Sequence, residues 1–132
     1  DDVHVRTGSL SIMSSSGEQF GVDVENKITT INTGIVLNRI TTAVNYTAKK
    51  SNYIIGVDST SNPVTVTLPD AATLTSGHAF VVKDEGGAAF DNNITISASG
   101  SQKINNSNTA VLEVPYSSIQ LYCNGTSGFF IF

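Results

Sequence analysis

The chain has no tryptophan, one cysteine, one methionine and three prolines in 132 residues, and only 14% of its residues are charged. Each shortage excludes something. A single Cys123 cannot form an intrachain disulfide, so burial and hydrogen bonding must hold the fold. Its setting, Ile119-Gln-Leu-Tyr-Cys, is that of a small buried hydrophobe rather than a nucleophile or a bridge to another chain. Seven basic residues stand against eleven acidic ones, a net charge of −4, and no basic stripe is present to neutralise phosphates or anionic lipid. Nucleic acid is therefore not an expected partner, nor is a membrane surface. No apolar run approaches the ~20 residues that cross a bilayer, so no membrane insertion is expected, and no stretch reads as a signal peptide. The opening Asp1-Asp-Val-His-Val-Arg6 carries no initiator Met and reads as the interior of a longer protein, of which this is expected to be a C-terminal part.

What the chain has in quantity is Thr, Ser, Asn, Gly, Val and Ile. β-Branched and turn-forming residues are weak helix formers and suit short strands joined by tight turns. Val64, Val66 and Leu68 alternate with Thr65 and Thr67, the period of a strand with one buried and one wet face. Tyr53–Val57 is a second such run. Between them Asp58–Pro63 is a cluster of turn formers in which Pro63 restricts Asn62 to an extended conformation. The two runs are expected to pair as a hairpin around which the rest is built. Asp70–Gly77 is the only stretch with helical character, short and poorly capped. Further strands are expected at His78–Asp84, Asn93–Ser97, Ala110–Val114, Ser118–Cys123 and Gly128–Phe132. This recurrence, about every ten residues, predicts an all-β fold, an antiparallel sandwich or jelly roll, over residues 44–132. Because Gly128–Phe132 has no polar position, it is predicted to be a central strand covered on both sides, by this chain or by neighbouring subunits.

Residues 1–43 differ. Val3–Val5, Leu10–Ile12, Phe20–Val24, Lys27–Ile31 and Ile35–Leu37 each offer two or three apolar side chains on one face. Ordering a residue costs roughly 1–2 kcal/mol and a buried Val or Ile returns ~1.5–3, so these pieces cannot form a core alone. Either the later strands cover them or copies of the same segment do.

Tyr53-Ile-Ile-Gly-Val-Asp, Val64-Thr-Val-Thr-Leu-Pro, Phe80-Val-Val-Lys-Asp-Glu-Gly-Gly, Asn93-Ile-Thr-Ile-Ser and the closing Leu121-Tyr-Cys-Asn-Gly-Thr-Ser-Gly-Phe-Phe-Ile resemble the C-terminal head module of trimeric tail fibres and tailspikes of tailed bacteriophages. The resemblance covers roughly Val44 to Phe132 and extends to tips of other trimeric fibres. Where that family often has a Trp in the last turn, this chain has Ser127-Gly128. The resemblance implies a homotrimer on a three-fold axis, with a short β-structured shaft (1–43) leading into β-sandwich heads (44–132). It implies a non-enzymatic tip, on a virion or an extracellular fibre of phage origin, that attaches to a host-surface glycan or protein. Two alternatives stay open: a purely structural trimerisation cap, and the C-terminal fragment of a polysaccharide depolymerase whose active site lies upstream.

Catalytic patterns are absent: no Gly-x-x-x-x-Gly-Lys-Ser/Thr, Gly-x-Gly-x-x-Gly, Gly-x-Ser-x-Gly or His-Glu-x-x-His occurs. A Ser–His pair would have to use His4 or His78, neither of which stands near a Ser in a strained turn. Asp58, Asp70, Asp84, Glu85, Asp91 and Glu113 are glycosidase carboxylates by type only, and solvated turns account for them as well. His4 in three copies near an axis would suit a metal ion, or it is a half-exposed strand residue. Asp84-Glu85 with Asp91-Asn92 match no Ca²⁺ ligand template. Neither metal nor cofactor is called for. What remains is recognition by loops on a rigid frame. Tyr46, Tyr53, Tyr116 and Tyr122 are either saccharide platforms or core residues with the hydroxyl at the rim. The turns Asp84–Asn92, Gly100–Asn108 and Asn124–Ser127 supply, with Tyr116, the candidate ligand-binding residues: Asp84, Glu85, Asp91, Asn92, Asn105, Asn106, Tyr116 and Asn124.

Overall fold

A computed structural model describes residues 3–6, 9–14, 17–23 and 25–132, with side chains described at Phe20–Asp23 and from Glu25 onward. The chain divides into two compact units, Asp1–Val36 and Leu37–Phe132.

In the first unit β1 (Val3–Arg6), β2 (Ser9–Ser14), β3 (Gly17–Asp23) and β4 (Ile28–Ile31) form an antiparallel meander in the order β1-β2-β3-β4. The β3–β4 turn is fixed locally. Asp23 accepts hydrogen bonds from the backbone N–H and the side-chain amide of Asn26, both at 3.0 Å, while Lys27 takes a left-handed φ of 58°. Those bonds, the backbone one first, hold the Asp23 carboxyl below its usual range. Ile28 and Ile31 on β4 are exposed, as are Ile35 and Val36. The Ile35–Leu37 piece forms no strand.

The second unit carries β5 (Arg39–Thr42), β6 (Tyr46–Thr47), β7 (Ile54–Val57), β8 (Val64–Thr67), β9 (Ala79–Asp84), β10 (Ile94–Ser97), β11 (Lys103–Ile104), β12 (Thr109–Leu112), β13 (Ser118–Cys123) and β14 (Gly128–Ile131). They make a six-stranded sheet, β11-β14-β13-β9-β7-β5, and a four-stranded sheet, β12-β10-β8-β6. The all-β, sandwich-like class is as the spacing predicts, and the strands fall close to the expected segments. Arg39–Thr42, which the sequence places with the 1–43 shaft segment, pairs here with β7.

The connectivity is not the expected one. Tyr53–Val57 and Val64–Leu68 do not pair as a hairpin, because β7 lies in the six-stranded sheet and β8 in the four-stranded one. From β5 to β12 successive strands alternate between the two sheets, so the chain winds as a coil. Two crossings restore direction, which is why β7 is parallel to β5 and to β9, and β8 parallel to β6 and to β10. Both sheets are therefore mixed rather than antiparallel. β12, which pairs antiparallel to β10, and the antiparallel pair β13–β14 close the coil. A six-residue turn cluster such as Asp58–Pro63 is long enough to bridge the ~10 Å between packed sheets.

Alternation does the rest. On β8 and β10 the residues Val64, Val66, Ile94 and Ile96 point inward and are fully buried, with Thr65, Thr67, Thr95 and Ser97 on the outer face. From the facing sheet come Ile55, Val57, Phe80, Val82, Leu121, Cys123 and Phe129. Phe80 and Phe129 meet edge to face, 6.3 Å between centroids. Cys123 is buried, as its setting predicts, and its Sγ donates to the Thr75 carbonyl at 3.2 Å. The stretch of helical character becomes a single 3₁₀ turn, Ala71–Thr73. Asp70 caps it by accepting from the Ala72 N–H at 2.9 Å and is itself held by the Gln102 amide at 2.6 Å.

β14 is central, between β11 and β13, but among the described residues of this unit it is covered on one side only. Phe129 is buried, whereas Phe130, Ile131 and Phe132 are exposed. Phe130 stacks on Tyr122 at 5.5 Å and Phe132 meets Tyr122 edge to face at 5.6 Å, so the outer face of the sheet carries an aromatic ladder.

Candidate functional site

Parallel strands put their exits together. Thr42, Val57 and Asp84, the last residues of β5, β7 and β9, stand in register, and Ser118, which opens β13, pairs with Lys83. Loops 43–45, 58–63, 85–93 and 113–117 therefore leave or enter the sandwich at one end. Two of the eight sequence-predicted ligand residues, Asp84 and Tyr116, sit within one network at this end.

Its hub is Asp84, buried to 0% exposure. Its Oδ1 accepts from the Gly87 N–H at 2.9 Å, and its Oδ2 accepts from both the Ala89 N–H at 3.1 Å and the Tyr116 N–H at 3.0 Å. A fully buried carboxylate that accepts three backbone N–H groups is an anchor for two loops and is closed off from a ligand in solvent. Asp84 is thus a positioning residue, which corrects its assignment as a ligand contact. Among the described residues no three His, Cys, Asp or Glu side chains gather as a metal site. The His4 side chain falls outside the described residues.

One carboxylate oxygen shared by Ala89 and Tyr116 brings two loops to one rim. Tyr116, 64% exposed, and Phe90, 74% exposed and next in the chain to Ala89, are carried on the two loops so joined. Tyr116 has a left-handed φ of 58°, a strained choice for a bulky residue. Lys83 fixes it from the other side by donating from Nζ to its carbonyl. The phenol ring lies against Gly87, where a Cβ would overlap the ring, and Gly87 itself needs a φ of +71°. At the neighbouring Gly86 a Cβ would stand 2.6 Å from Asp58 Oδ1. The Gly86-Gly87 pair is therefore a seat from which side chains are excluded so that an aromatic ring and a carboxylate can approach the same dipeptide. Replacing Gly87 with alanine is expected to cost about 1–3 kcal/mol in stability and to displace the Tyr116 ring, read by urea midpoint and by the Tyr116 ring resonances.

Asp58 is exposed. Its Oδ1 accepts from the Thr60 hydroxyl at 2.6 Å and the Thr60 N–H at 3.0 Å; the side-chain bond first and the backbone bond second hold its carboxyl below the usual range. Glu85 folds back over Gly56 and takes a two-pronged ion pair from Arg39, Nε to Oε1 at 3.0 Å and Nη2 to Oε2 at 2.5 Å, which raises the guanidinium above its ordinary value. Thr41, Thr42, Ala43, Asp58, Glu85 and Gly86 line an open groove of about 430 Å³. Ser59, one residue along, is buried, and its hydroxyl has no hydrogen-bond partner among the described residues.

The remaining candidates are spent on turns. Asp91 and Asn92 close a tight turn through their N–H groups on the Ala88 carbonyl, and the Asn92 amide donates to the Thr60 carbonyl at 3.3 Å. Asn105 and Asn106 are the two left-handed residues, φ 45° and 70°, of the tight Ile104–Ser107 reversal, and Asn105 Oδ1 accepts from the Ile131 N–H at 3.1 Å. Asn124 Oδ1 accepts from the N–H groups of Thr126, Ser127 and Gly128 at 2.9–3.0 Å. Asn105, Asn106 and Asn124 lie on turns that do not join the Asp84 network. The sequence reading missed Phe90, Asp58 as a groove residue, and the Gly86-Gly87 seat. The consecutive glycines after Asp84-Glu85 were the available signal.

Of the other tyrosines, Tyr46 is half-buried with its hydroxyl donating to Asn52 Oδ1 at 3.0 Å, Tyr53 is half-buried, and Tyr122 belongs to the outer-face ladder. Among the described residues no helix is long and apolar enough to cross a membrane. No protein-family model matches the chain, and no curated protein matches it.

Proposed function

We propose that the chain is the non-enzymatic tip of a homotrimeric fibre of bacteriophage type, borne on a virion or an extracellular fibre, and that its second unit attaches the fibre to a host-surface glycan or protein. One observation carries the reading. A buried carboxylate fixes two loops that carry Tyr116 and Phe90 exposed at one end of the sandwich, an arrangement that suits recognition. The apolar surface elsewhere supports self-association. Ile28, Ile31, Ile35 and Val36 are exposed on the first unit, and Tyr122, Phe130 and Phe132 on the outer face of the second, surfaces that sibling chains would cover. Three heads on one stem raise weak single-site affinity through effective concentration.

Retention of the fluorescently labelled chain on a panel of bacterial strains tests attachment. The expected result is saturable retention on some strains that Tyr116→Asn lowers. Equal, non-saturable background on every strain would contradict it, and release of oligosaccharides from capsular polysaccharide would replace it with a depolymerase.

A further inference from the structure

We infer that Tyr116, the Gly86-Gly87 seat and Asp58 form a subsite for one neutral pyranose ring with adjacent hydroxyls. The inference rests on the attachment reading and deepens it by naming the chemistry of the ligand.

The three parts are joined by the backbone. Tyr116 rests on Gly87 and Asp58 on Gly86, and neighbouring Cα atoms are about 3.8 Å apart, so the ring tip and the carboxylate flank one peptide unit. The ring is pinned through its own backbone, its N–H on Asp84 and its carbonyl on Lys83, while most of its surface is open. A platform immobilised before binding loses little conformational freedom when a ligand stacks on it. The apolar C–H face of a pyranose is the surface that such a ring covers, and the rest of a sugar is hydroxyl.

Asp58 supplies the acceptor for those hydroxyls. Thr60 occupies Oδ1, whereas Oδ2 receives no hydrogen bond from the described residues. The groove it lines continues past Thr41, whose hydroxyl serves as donor or acceptor, and past Thr42, whose hydroxyl is bonded to the Val44 backbone. Charge then selects among sugars. Glu85 is neutralised by Arg39, but Asp58 has no cationic partner among the described residues. A uronic or sialic carboxylate set on this platform would face that unpaired charge at short range, so acidic sugars are disfavoured.

Saturation-transfer difference NMR on the full chain tests this with methyl glycosides of glucose, galactose, mannose and rhamnose beside methyl glucuronide and N-acetylneuraminic acid. At least one neutral glycoside is expected to bind, and neither acid to bind as well. Tyr116→Asn keeps a residue that tolerates the left-handed backbone and is expected to weaken binding about tenfold, whereas Tyr116→Phe stays within about twofold. Asp58→Asn retains an oxygen for Thr60 and is expected to weaken binding about tenfold. If Tyr116→Asn does not fold, the Asp58→Asn result and the acid-to-neutral preference decide. Undiminished binding by Tyr116→Asn or by Asp58→Asn would overturn the subsite, as would a preference for the acids. Absence of saccharide binding with retention on cells intact would overturn the subsite and leave attachment, to a protein receptor, standing. Loss of both would remove the two readings together.

Discussion

Replacing Asp84 with alanine is expected to destabilise the second unit by roughly 3–5 kcal/mol, among the largest effects available to a single polar substitution in this chain. The carboxylate takes three backbone N–H groups, those of Gly87, Ala89 and Tyr116, from two loops far apart in sequence. A hydrogen bond to a charged acceptor contributes about 1.5–3 kcal/mol, and a buried donor left without a partner costs about 1–3. Partial entry of water keeps the total below the sum of those ranges. Asp84→Asn separates anchoring from packing. The amide has nearly the same shape but one acceptor oxygen, and its NH₂ must face an N–H. Placed to serve Ala89 and Tyr116 it loses Gly87, so roughly half of the alanine effect is expected. Urea midpoints measure both. A carboxylate that merely met solvent or ligand would give changes under about 0.5 kcal/mol.

Phe80→Ala is expected to cost a comparable 3–5 kcal/mol, for a different reason. Phe80 is fully buried on β9, edge to face with Phe129 and 5.0 Å from the His78 ring, in the layer where the two sheets meet. Alanine removes both the transfer energy of the ring and the packing around the hole it leaves. Phe130 provides the contrast, because it sits on β14 with its ring on the outer face beside Tyr122. Phe130→Ala is expected to leave the core intact and to weaken self-association. Thermal melts run at several protein concentrations separate the two: Phe80→Ala lowers the midpoint at every concentration, and Phe130→Ala steepens its dependence on concentration.

Strands were easy to read from this sequence and their pairing was not. Val64-Thr-Val-Thr-Leu68 and Asn93-Ile-Thr-Ile-Ser97 alternate so cleanly that both the strand and its buried face follow from the pattern, and Val64, Val66, Ile94 and Ile96 are buried as that predicts. The link Asp58–Pro63 carries no comparable information. Turn-forming residues stop a strand, but they do not record whether the chain returns beside it or crosses to the opposite sheet. Hence the expected hairpin gives way to a coil with parallel neighbours. The antiparallel meander of the first unit was equally hidden, since pieces of four to seven residues show where strands lie without giving their order.

The rim was half legible. Asp84 and Tyr116 stood out by residue type, yet composition cannot tell an Asp that binds a ligand from one that binds its own backbone. That distinction depends on Ala89 and Tyr116 meeting at one oxygen across 27 residues of chain, which only the fold establishes. Asn105 and Asn124 were drawn into the candidate set by the same ambiguity. An Asn in a loop is as useful for holding a left-handed turn as for meeting a sugar.

Self-assembly through surfaces that a lone chain leaves uncovered is the claim on which the attachment reading rests, and sedimentation equilibrium on the full chain tests it most directly. The account predicts a particle of three times 13.9 kDa that persists on dilution through the micromolar range. A particle of 13.9 kDa across that range, folded and with Ile28, Ile31 and the Tyr122 ladder open to solvent, would contradict it.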